Sequence, residues 1–286
     1  MEKILVTGAS GALGLEVTKR LFSLGYPLRV MIHDVKSANQ IKTFTRDIII
    51  ADARKPDQLL GVCEGIKVLI STLGKSLSLF KNDRGSYEDI DYEGNKNILK
   101  EAEKSGVGRV IFTSILGCSE FNTLKIAKVH YEVEKLIAEK FSNHTIFRPT
   151  GFFSGLNDLI ILGKRGIIPV IGDGHHKTNS IHQKDLAYTL VDMLKEGPPL
   201  IKIGGPQIHT RKEMAEMIQK KTGGRIIHLP NILVKGAIPI VWPVKPSLFH
   251  NMDYFRFVTT RDMVGEKYGQ ITFKSYLEEL DLNELP

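Results

Sequence analysis

The sequence predicts an α/β fold of Rossmann type, a doubly wound parallel sheet with a small C-terminal subdomain on the substrate side. Three observations predict it. Short apolar runs alternate with longer helical patterns through residues 1–150, the runs lack polar–apolar alternation, and a glycine-rich turn joins the first run to the first helix. Parallel strands covered by helices on both faces are apolar throughout, and their right-handed crossovers need a covering helix.

The predicted elements follow one another in regular order. Strands are expected at 3–7, 28–32, 47–50, 67–72, 108–114 and 144–149, and helices at 12–24, about 86–104 and 125–141. After residue 150 the pattern becomes irregular, with helices near 183–195 and 210–222 and a strand at 200–205. We expect residues 1–150 to form an NAD(P)-binding Rossmann core. Residues 151–286 are expected to form a substrate-side elaboration that partly rejoins the core near 180–205.

Composition and charge exclude several classes of protein. The chain has 286 residues, of which 42% are hydrophobic and 25% charged, and this usage excludes collagen and disorder. The net charge of +7 is spread along the chain without a Lys/Arg-rich run, so no nucleic-acid partner is expected. Cys63 and Cys118 lie far apart and predict neither a disulfide framework nor a zinc site. No metal site is predicted.

The N-terminal sequence MEKILVTGAS reaches strand and glycine chemistry at once, without the basic leader and apolar core of a signal peptide. The longest apolar region, residues 226–249, is interrupted by Lys235, Lys245 and four prolines. It therefore falls short of the ~20 uninterrupted apolar residues of a transmembrane helix. These features predict a cytoplasmic protein without a transmembrane segment, in a reducing compartment.

The turn after the first predicted strand has the spacing GxxGxxG. It comprises Gly8, Ala9, Ser10, Gly11, Ala12, Leu13 and Gly14. The first glycine of such a turn permits a tight bend, the second lets the backbone approach a pyrophosphate, and the third lets helix and strand pack closely. The helix N-terminus adds free N–H groups and partial positive charge. The turn predicts a dinucleotide site.

Cofactor choice depends on the residues at the end of the second strand, where an acid holds a ribose 2′-OH and a basic group favours a 2′-phosphate. The residues here are His33, Asp34, Val35 and Lys36. His33 and Lys36 fit a 2′-phosphate, whereas Asp34 fits an unphosphorylated ribose. Since the first residue after the strand is His, NADP is the favoured cofactor and NAD the alternative.

Several motifs resemble those of the atypical short-chain dehydrogenase/reductases. Besides the glycine turn they are STLG at 71–74, IDYEGNKN at 90–97, FTSILG at 112–117, FRPTGFF at 147–153, IGDGHHKTNSIHQKDLA at 171–187 and IGGPQIHTRKEMAEMI at 203–218. The sequence is most similar to the NmrA-like branch. That branch contains divinyl chlorophyllide 8-vinyl reductase, the Ycf39-type assembly factors and an accessory subunit of respiratory complex I, and includes both enzymes and non-catalytic cofactor binders.

The resemblance implies roles for particular positions. Asp52 and Ala53 would lie by the adenine, and Asn95 would stand near the central helix. The residues implied to line the rest of the dinucleotide are Thr72, Leu73 and Gly74, followed by Pro149, Thr150, Gly151 and Phe152 beside the nicotinamide. His182 and Asp185 are expected to order a loop. Phe152, Phe153, Trp242 and Phe249 are apolar residues that fit the lining of a substrate pocket.

Two registers compete for the catalytic helix. Short-chain reductases use Tyr-x-x-x-Lys, in which the lysine lowers the phenol pKa from about 10, and Tyr131 and Lys135 match that spacing after Ser114. In the NmrA-like relatives, however, the lysine aligns with Lys128 and the tyrosine position is Leu124. We favour Lys128 as the ribose-binding lysine, with Tyr131 one turn further along the same face. His130 is expected to be exposed.

The sequence leads to two main functional hypotheses. The first is an NADP-dependent oxidoreductase that reduces a small or medium carbonyl or activated alkene, with Lys128, Tyr131 and Ser114 as catalytic residues. The second is a non-catalytic, dinucleotide-sensing regulator or assembly factor with a protein partner, which Leu124 at the tyrosine position favours. A nucleotide-sugar epimerase or dehydratase is a weaker alternative. The substrate identity and the oligomeric state stay open at this point.

Overall fold

The N-terminal half of the chain forms strand–helix units in the predicted order. The computed structural model describes residues 1–80, 85–121, 123–241 and 246–285. Its strands in the first half are β1 (Ile4–Thr7), β2 (Leu28–Ile32), β3 (Ile48–Ile50), β4 (Val68–Ser71), β5 (Arg109–Thr113) and β6 (His144–Pro149). Its helices there are α1 (Ala12–Ser23), α2 (Asn95–Lys104) and α3 (Lys125–Lys140). These bounds lie within a residue or two of most predicted ones, because apolar runs and helical periodicity are local properties of the sequence.

The C-terminal half adds shorter elements. The strands are β7 (Ile167–Ile171), β8 (Lys177–Thr178), β9 (Leu200–Gly204), β10 (His209–Thr210), β11 (Arg225–Leu229) and β12 (Glu266–Lys267). The helices are α4 (Asn157–Lys164), α5 (Gln183–Asp192), α6 (Arg211–Thr222), α7 (Asn231–Val241), α8 (Pro246–Thr259) and α9 (Phe273–Glu279). Several of these were not predicted, and the two-residue strands among them have too few positions to show a period.

Eight of the described strands form the central sheet, in the order β12-β9-β6-β5-β4-β1-β2-β3. The pairings from β3 across to β6 are parallel. Strand order therefore reverses between β1 and β4, where Thr7 pairs with Ser71. In open α/β sheets ligands bind outside the carboxyl ends of the strands at such a reversal. The predicted Rossmann-type fold is confirmed.

One helix prediction needs revision. The segment Glu88–Gly94, expected to be the start of a regular helix, is a π-helical stretch that runs into α2. The side-chain amide of Asn95 donates a hydrogen bond to the carbonyl of Asp91 at 2.7 Å. A side chain that inserts into the backbone hydrogen-bond ladder is a known cause of such widening.

The described residues fall into two compact units. The first comprises Met1–Lys75, 85–148 and Gln183–Ile201, and the second 76–80, Pro149–His182 and the chain from Lys202 onward. The core of the first unit packs Leu5 and Val110 of the sheet against Ile98 of α2 and Ile137 of α3. In the second unit, a separate core contains Phe153, Ile168, Ile218 and Phe273. There β7 and β11 form a parallel two-stranded sheet.

Candidate functional site

The glycine turn has the geometry that a dinucleotide needs. Gly8 has φ +70°, and a Cβ added to it would lie 2.7 Å from the carbonyl oxygen of Thr72. A Cβ on Gly14 would overlap the carbonyl oxygen of Gly8. The N–H of Gly11 donates to that same oxygen at 2.9 Å. The first and third glycines are thus required by close packing, and the turn holds the start of α1 against the end of β4.

Helix α1 begins at Ala12, with Gly11 as its N-cap residue, so no side chain caps its first N–H groups. The sequence of the first turn, Ala-Leu-Gly-Leu, contains no acid. The first N–H groups of a helix lack intrahelical partners, and the helix dipole places partial positive charge there. This end of α1 is therefore suited to a diphosphate, as the sequence predicts.

The end of β4 is fixed by hydrogen bonds to neighbouring elements. The hydroxyl of Thr72 donates to the carbonyl of Thr7 at 2.9 Å. The hydroxyl of Ser71 donates to the Asn95 carboxamide oxygen at 2.6 Å, and the Asn95 amide nitrogen donates to the carbonyl of Leu73 at 3.2 Å. Asn95 therefore positions residues 72–74, which are predicted to line the dinucleotide, beside the glycine turn.

At the end of β2 the acid is already engaged. The Asp34 carboxylate accepts hydrogen bonds from the Ser37 N–H at 2.9 Å and from the Ser37 hydroxyl at 2.7 Å. These bonds, the hydroxyl bond foremost, lower the pKa of Asp34. His33 Nε2 lies 3.1 Å from the same carboxylate, and the side chains of His33 and Lys36 are exposed. Asp34 thus acts as a local cap, whereas two basic side chains face solvent.

The predicted adenine neighbours lie after β3. The Arg54 guanidinium donates to both carboxylate oxygens of Asp52, at 2.8 and 2.7 Å. This hydrogen bonding is the main cause of the lowered pKa of Asp52. Ala53 is buried, and its carbonyl accepts a bond from the Asn97 amide at 3.0 Å. Both residues are held in fixed positions.

His130 is buried, so the prediction that it is exposed is wrong. Its side chain is 8% exposed and its Nε2 lies 3.2 Å from the Asp91 carboxylate. The other carboxylate oxygen of Asp91 accepts the N–H of Lys75 at 3.1 Å. Asp91 therefore connects α3 to the loop after β4. Helical spacing alone could not reveal this, because Asp91 lies 39 positions earlier in the sequence.

The competing lysines on α3 have different surroundings. Lys128 is exposed. The Lys135 ammonium donates to Glu132 at 2.7 Å, which raises the pKa of Lys135, and lies 5.3 Å from the centre of the Tyr131 ring. Tyr131 itself is half-buried. The charge of Lys135 is thus compensated by Glu132, which weakens its effect on the Tyr131 phenol.

Leu124, at the predicted tyrosine position, and Ser114 are both buried. The hydroxyl oxygen of Ser114 lies 3.7 Å from the Cys118 sulfur, and the backbone N–H of Ser114 donates to the carbonyl of Phe147 at 2.7 Å. Leu124 is the N-cap residue of α3. Of the three residues predicted to be catalytic, Lys128 and Tyr131 are therefore accessible, whereas Ser114 contributes to packing around Cys118.

A buried ionic network beside Ser114 was not predicted. Arg148 Nε donates to the Glu134 carboxylate at 2.9 Å, and the two side chains are 7% and 5% exposed. The Cys118 thiol also donates to Glu134, at 3.0 Å, and burial raises the pKa of Cys118 to about 12. The network joins α3 to β6. The charged residues at positions 134 and 148 were its only signal in the sequence.

In the second unit, the predicted nicotinamide segment is tied to its own surroundings. The Thr150 hydroxyl donates to the carbonyl of Asn179 at 2.8 Å, and Gly151, with φ +140°, accepts the N–H of Ile181 at 2.9 Å. Pro149 is buried and Phe152 half-buried. The segment is therefore joined by hydrogen bonds to residues 179–181 of its own unit.

The aromatic residues predicted to line a pocket have different environments. Phe153 is 2% exposed and belongs to the core of the second unit. Its ring lies 6.0 Å from that of His182, centre to centre, which accords with an ordering role for His182. Phe249 is half-buried, and Trp242 lies outside the described residues.

Residues 8–197 match the model of a protein family described as NAD(P)H-binding. This chain belongs to that family. The match begins at Gly8 of the glycine turn and covers more than half of the chain. Binding of NAD(P)H is thus the shared property of the family, and the predicted dinucleotide site lies within the matched residues.

Individual relatives extend the comparison. The photosystem II assembly factor Ycf39 of Cyanophora paradoxa is 31% identical over 153 residues, which are 54% of this chain and 46% of the relative. The mitochondrial NADH dehydrogenase [ubiquinone] 1 alpha subcomplex subunit 9 of Arabidopsis thaliana is 25% identical, over 91% of this chain and 70% of the relative. The chain spans about half the length of the first of these. The predicted resemblance to NmrA-like relatives is confirmed.

The fold also occurs in a solved reductase. The NADPH-dependent quinone oxidoreductase QOR2 of Escherichia coli, in complex with NADPH, superimposes with a TM-score of 0.75. The sequences are 17% identical, and the superposition covers 96% of this chain and 98% of the reductase. At that identity the similarity shows a shared fold.

Proposed function

We propose that this chain is an NADP(H)-dependent reductase of an activated carbonyl or alkene. The observation that carries the proposal is the arrangement of acidic and basic side chains after β2. There Ser37 engages the acid that would hold an unphosphorylated ribose, at 2.9 and 2.7 Å, and His33 and Lys36 are exposed. Two exposed basic side chains after β2, the strand that pairs with β1, favour a 2′-phosphate. NADP is therefore the proposed cofactor and NAD the weaker ligand.

The surroundings of α3 suggest the class of substrate. Leu124 stands where the catalytic tyrosine would be, and Lys135 is bound to Glu132. We infer that the substrate accepts hydride without strong assistance from a lysine-activated phenol. Quinone-like carbonyls and enones meet this condition, because their π systems delocalise the negative charge that the hydride brings. Lys128 would bind the nicotinamide ribose, and Tyr131 would contact the substrate.

Cofactor preference tests the first part of the proposal. Replacing Lys36 by alanine should raise the Kd of NADPH about tenfold, because a hydrogen bond to a charged group contributes about 1.5–3 kcal/mol, and should leave the Kd of NADH unchanged. Isothermal titration calorimetry measures both constants. Lys42→Ala is the matched control, since the Lys42 ammonium is held by Asn39 at 3.3 Å. If Lys36→Ala raises the Kd of NADPH and the Kd of NADH by the same factor, the assignment of Lys36 to the 2′-phosphate is contradicted.

Measurement of NADPH oxidation tests the proposed class of substrate. Purified protein should oxidise NADPH in the presence of at least one member of a panel of quinones and enones, with little activity toward simple ketones. Replacing Lys128 by methionine should raise the KM for NADPH, since it removes the proposed ribose contact, whereas Lys135→Met should leave kcat and KM nearly unchanged. NADPH binding without turnover across the panel would refute the reductase proposal.

A second candidate function is a dinucleotide-dependent assembly factor. The similarity to Ycf39, named as a photosystem II assembly factor, and the buried Leu124 favour it. If it is correct, a protein partner will be recovered with the full chain in amounts that depend on NADPH, and Lys128→Met will need more NADPH for the same recovery. The predicted cytoplasmic location is likewise a proposal, and cell fractionation would check it.

A further inference from the structure

The second unit exposes apolar side chains at the junction of β11 and α7. Ile227 and Leu229 of β11 are 36% and 38% exposed, and Ile232 and Leu233 of α7 are 74% and 66% exposed. We call these four residues the β11–α7 surface. Large aliphatic side chains that are clustered and exposed mark an interaction site more often than single ones do.

The same helix has a buried side. Ile238 of α7 is 2% exposed, whereas Ile232 and Leu233 face solvent. α7 is therefore attached to the second unit through one side and presents aliphatic residues on another. Helix α7 has 11 residues, about 16 Å of helix, and so it is far shorter than the hydrocarbon core of a bilayer. No helix in the described ranges is long and apolar enough to cross a membrane.

The segment of the sequence that carries this surface has charged residues of one sign. Residues 217–252 contain no aspartate or glutamate but include Lys220, Lys221, Arg225, Lys235 and Lys245. The side chains of Lys220, Arg225 and Lys235 are exposed. Aliphatic residues surrounded by basic ones bind anionic lipid surfaces by partial insertion and electrostatic attraction. Protein interfaces, in contrast, are depleted in lysine.

We propose that the β11–α7 surface binds the surface of an anionic lipid bilayer. Ile232 and Leu233 would enter the boundary between headgroups and acyl chains, and Lys235 would remain at the level of the lipid phosphates. Ile227 and Leu229 would extend the apolar contact. The association is peripheral and reversible, and it is independent of the dinucleotide site in the first unit.

Co-sedimentation of the full chain with vesicles tests this proposal. The chain should sediment with phosphatidylcholine vesicles that contain phosphatidylglycerol, and much less with phosphatidylcholine alone. The double variant Ile232→Ser/Leu233→Ser should bind at least about tenfold more weakly, because two buried aliphatic side chains are lost. Lys235→Glu should reduce binding about fivefold or more at low salt, and high salt should remove the difference.

Leu60→Ser is the matched control, because Leu60 is a similarly exposed aliphatic residue of the first unit, at 69%. This variant should leave vesicle binding unchanged. Circular dichroism and the Kd of NADPH, measured on every variant, should match the parent chain. Absence of sedimentation with anionic vesicles, or sedimentation unaffected by the double variant, would overturn the proposal. A dimer in size-exclusion chromatography that the double variant dissociates would overturn it as well, because the surface would then contact a second copy.

Discussion

Replacing Glu134 by alanine is expected to lower the free energy of unfolding of the first unit by about 3–5 kcal/mol. The Arg148 guanidinium donates to Glu134 at 2.9 Å and is 7% exposed. Its bond to Glu134 is the main reason why the pKa of Arg148 is raised. Without the carboxylate, Arg148 would remain charged in a buried position, where the Ser119 hydroxyl at 3.0 Å is a neutral acceptor. Urea denaturation followed by circular dichroism measures the loss.

Two further variants separate this effect from a general loss of packing. Glu132→Ala removes an exposed carboxylate from the same helix and should cost less than about 1 kcal/mol. The double variant Glu134→Leu/Arg148→Met removes both charges and should recover most of the stability, since apolar residues of similar volume commonly replace a buried ion pair. If the double variant is no more stable than Glu134→Ala, an unpaired buried charge is not the cause.

Replacing Gly14 by alanine is expected to destabilise the first unit by about 1–3 kcal/mol, the usual cost of overpacking. The new Cβ would overlap the carbonyl oxygen of Gly8 and lie 2.7 Å from Thr72 Oγ1. Relief requires α1 to move away from the glycine turn, and this displaces the N–H groups that would bind the diphosphate. The Kd of NADPH should therefore rise at least about tenfold, as calorimetry would measure.

Gly236→Ala provides a contrast in a second helix. Nothing lies within 4 Å of a Cβ at Gly236, and alanine is about 1 kcal/mol better than glycine in a helix interior. This variant should therefore be as stable as the parent chain or more so, with an unchanged Kd for NADPH. Unaltered NADPH binding in Gly14→Ala would show that the approach of α1 to the turn is not needed for the cofactor.

Much of the dinucleotide site can be predicted from the sequence. Gly8 and Gly14 were expected to permit a tight turn and close packing, and both are required for steric reasons. Asn95, expected near the central helix, is the first residue of α2 and is bonded to Ser71 and Leu73. These predictions succeed because a glycine-rich turn between a strand and a helix fixes its own backbone geometry.

The catalytic helix could not be read in the same way. The spacing of Tyr131 and Lys135 matches a reductase motif, yet Lys135 is bound to Glu132 on the same helix. His130 has the sequence context of an exposed residue, yet its side chain is buried and its Nε2 contacts the Asp91 carboxylate. In each case the environment of the side chain depends on which other side chain contacts it. The periodicity of the local sequence contains no information about such contacts.

The sequence by itself determined the order of strands and helices in the first 150 residues, the glycine-rich turn and the family, because apolar runs, helical periods and glycine positions act over a few neighbouring residues. Only the tertiary structure decided that Asp34 is engaged by Ser37, that Glu134 and Arg148 form a buried pair, and that Ile232 is exposed. The physical reason is that burial and pairing of side chains depend on elements that are distant in the sequence and come together when the chain folds.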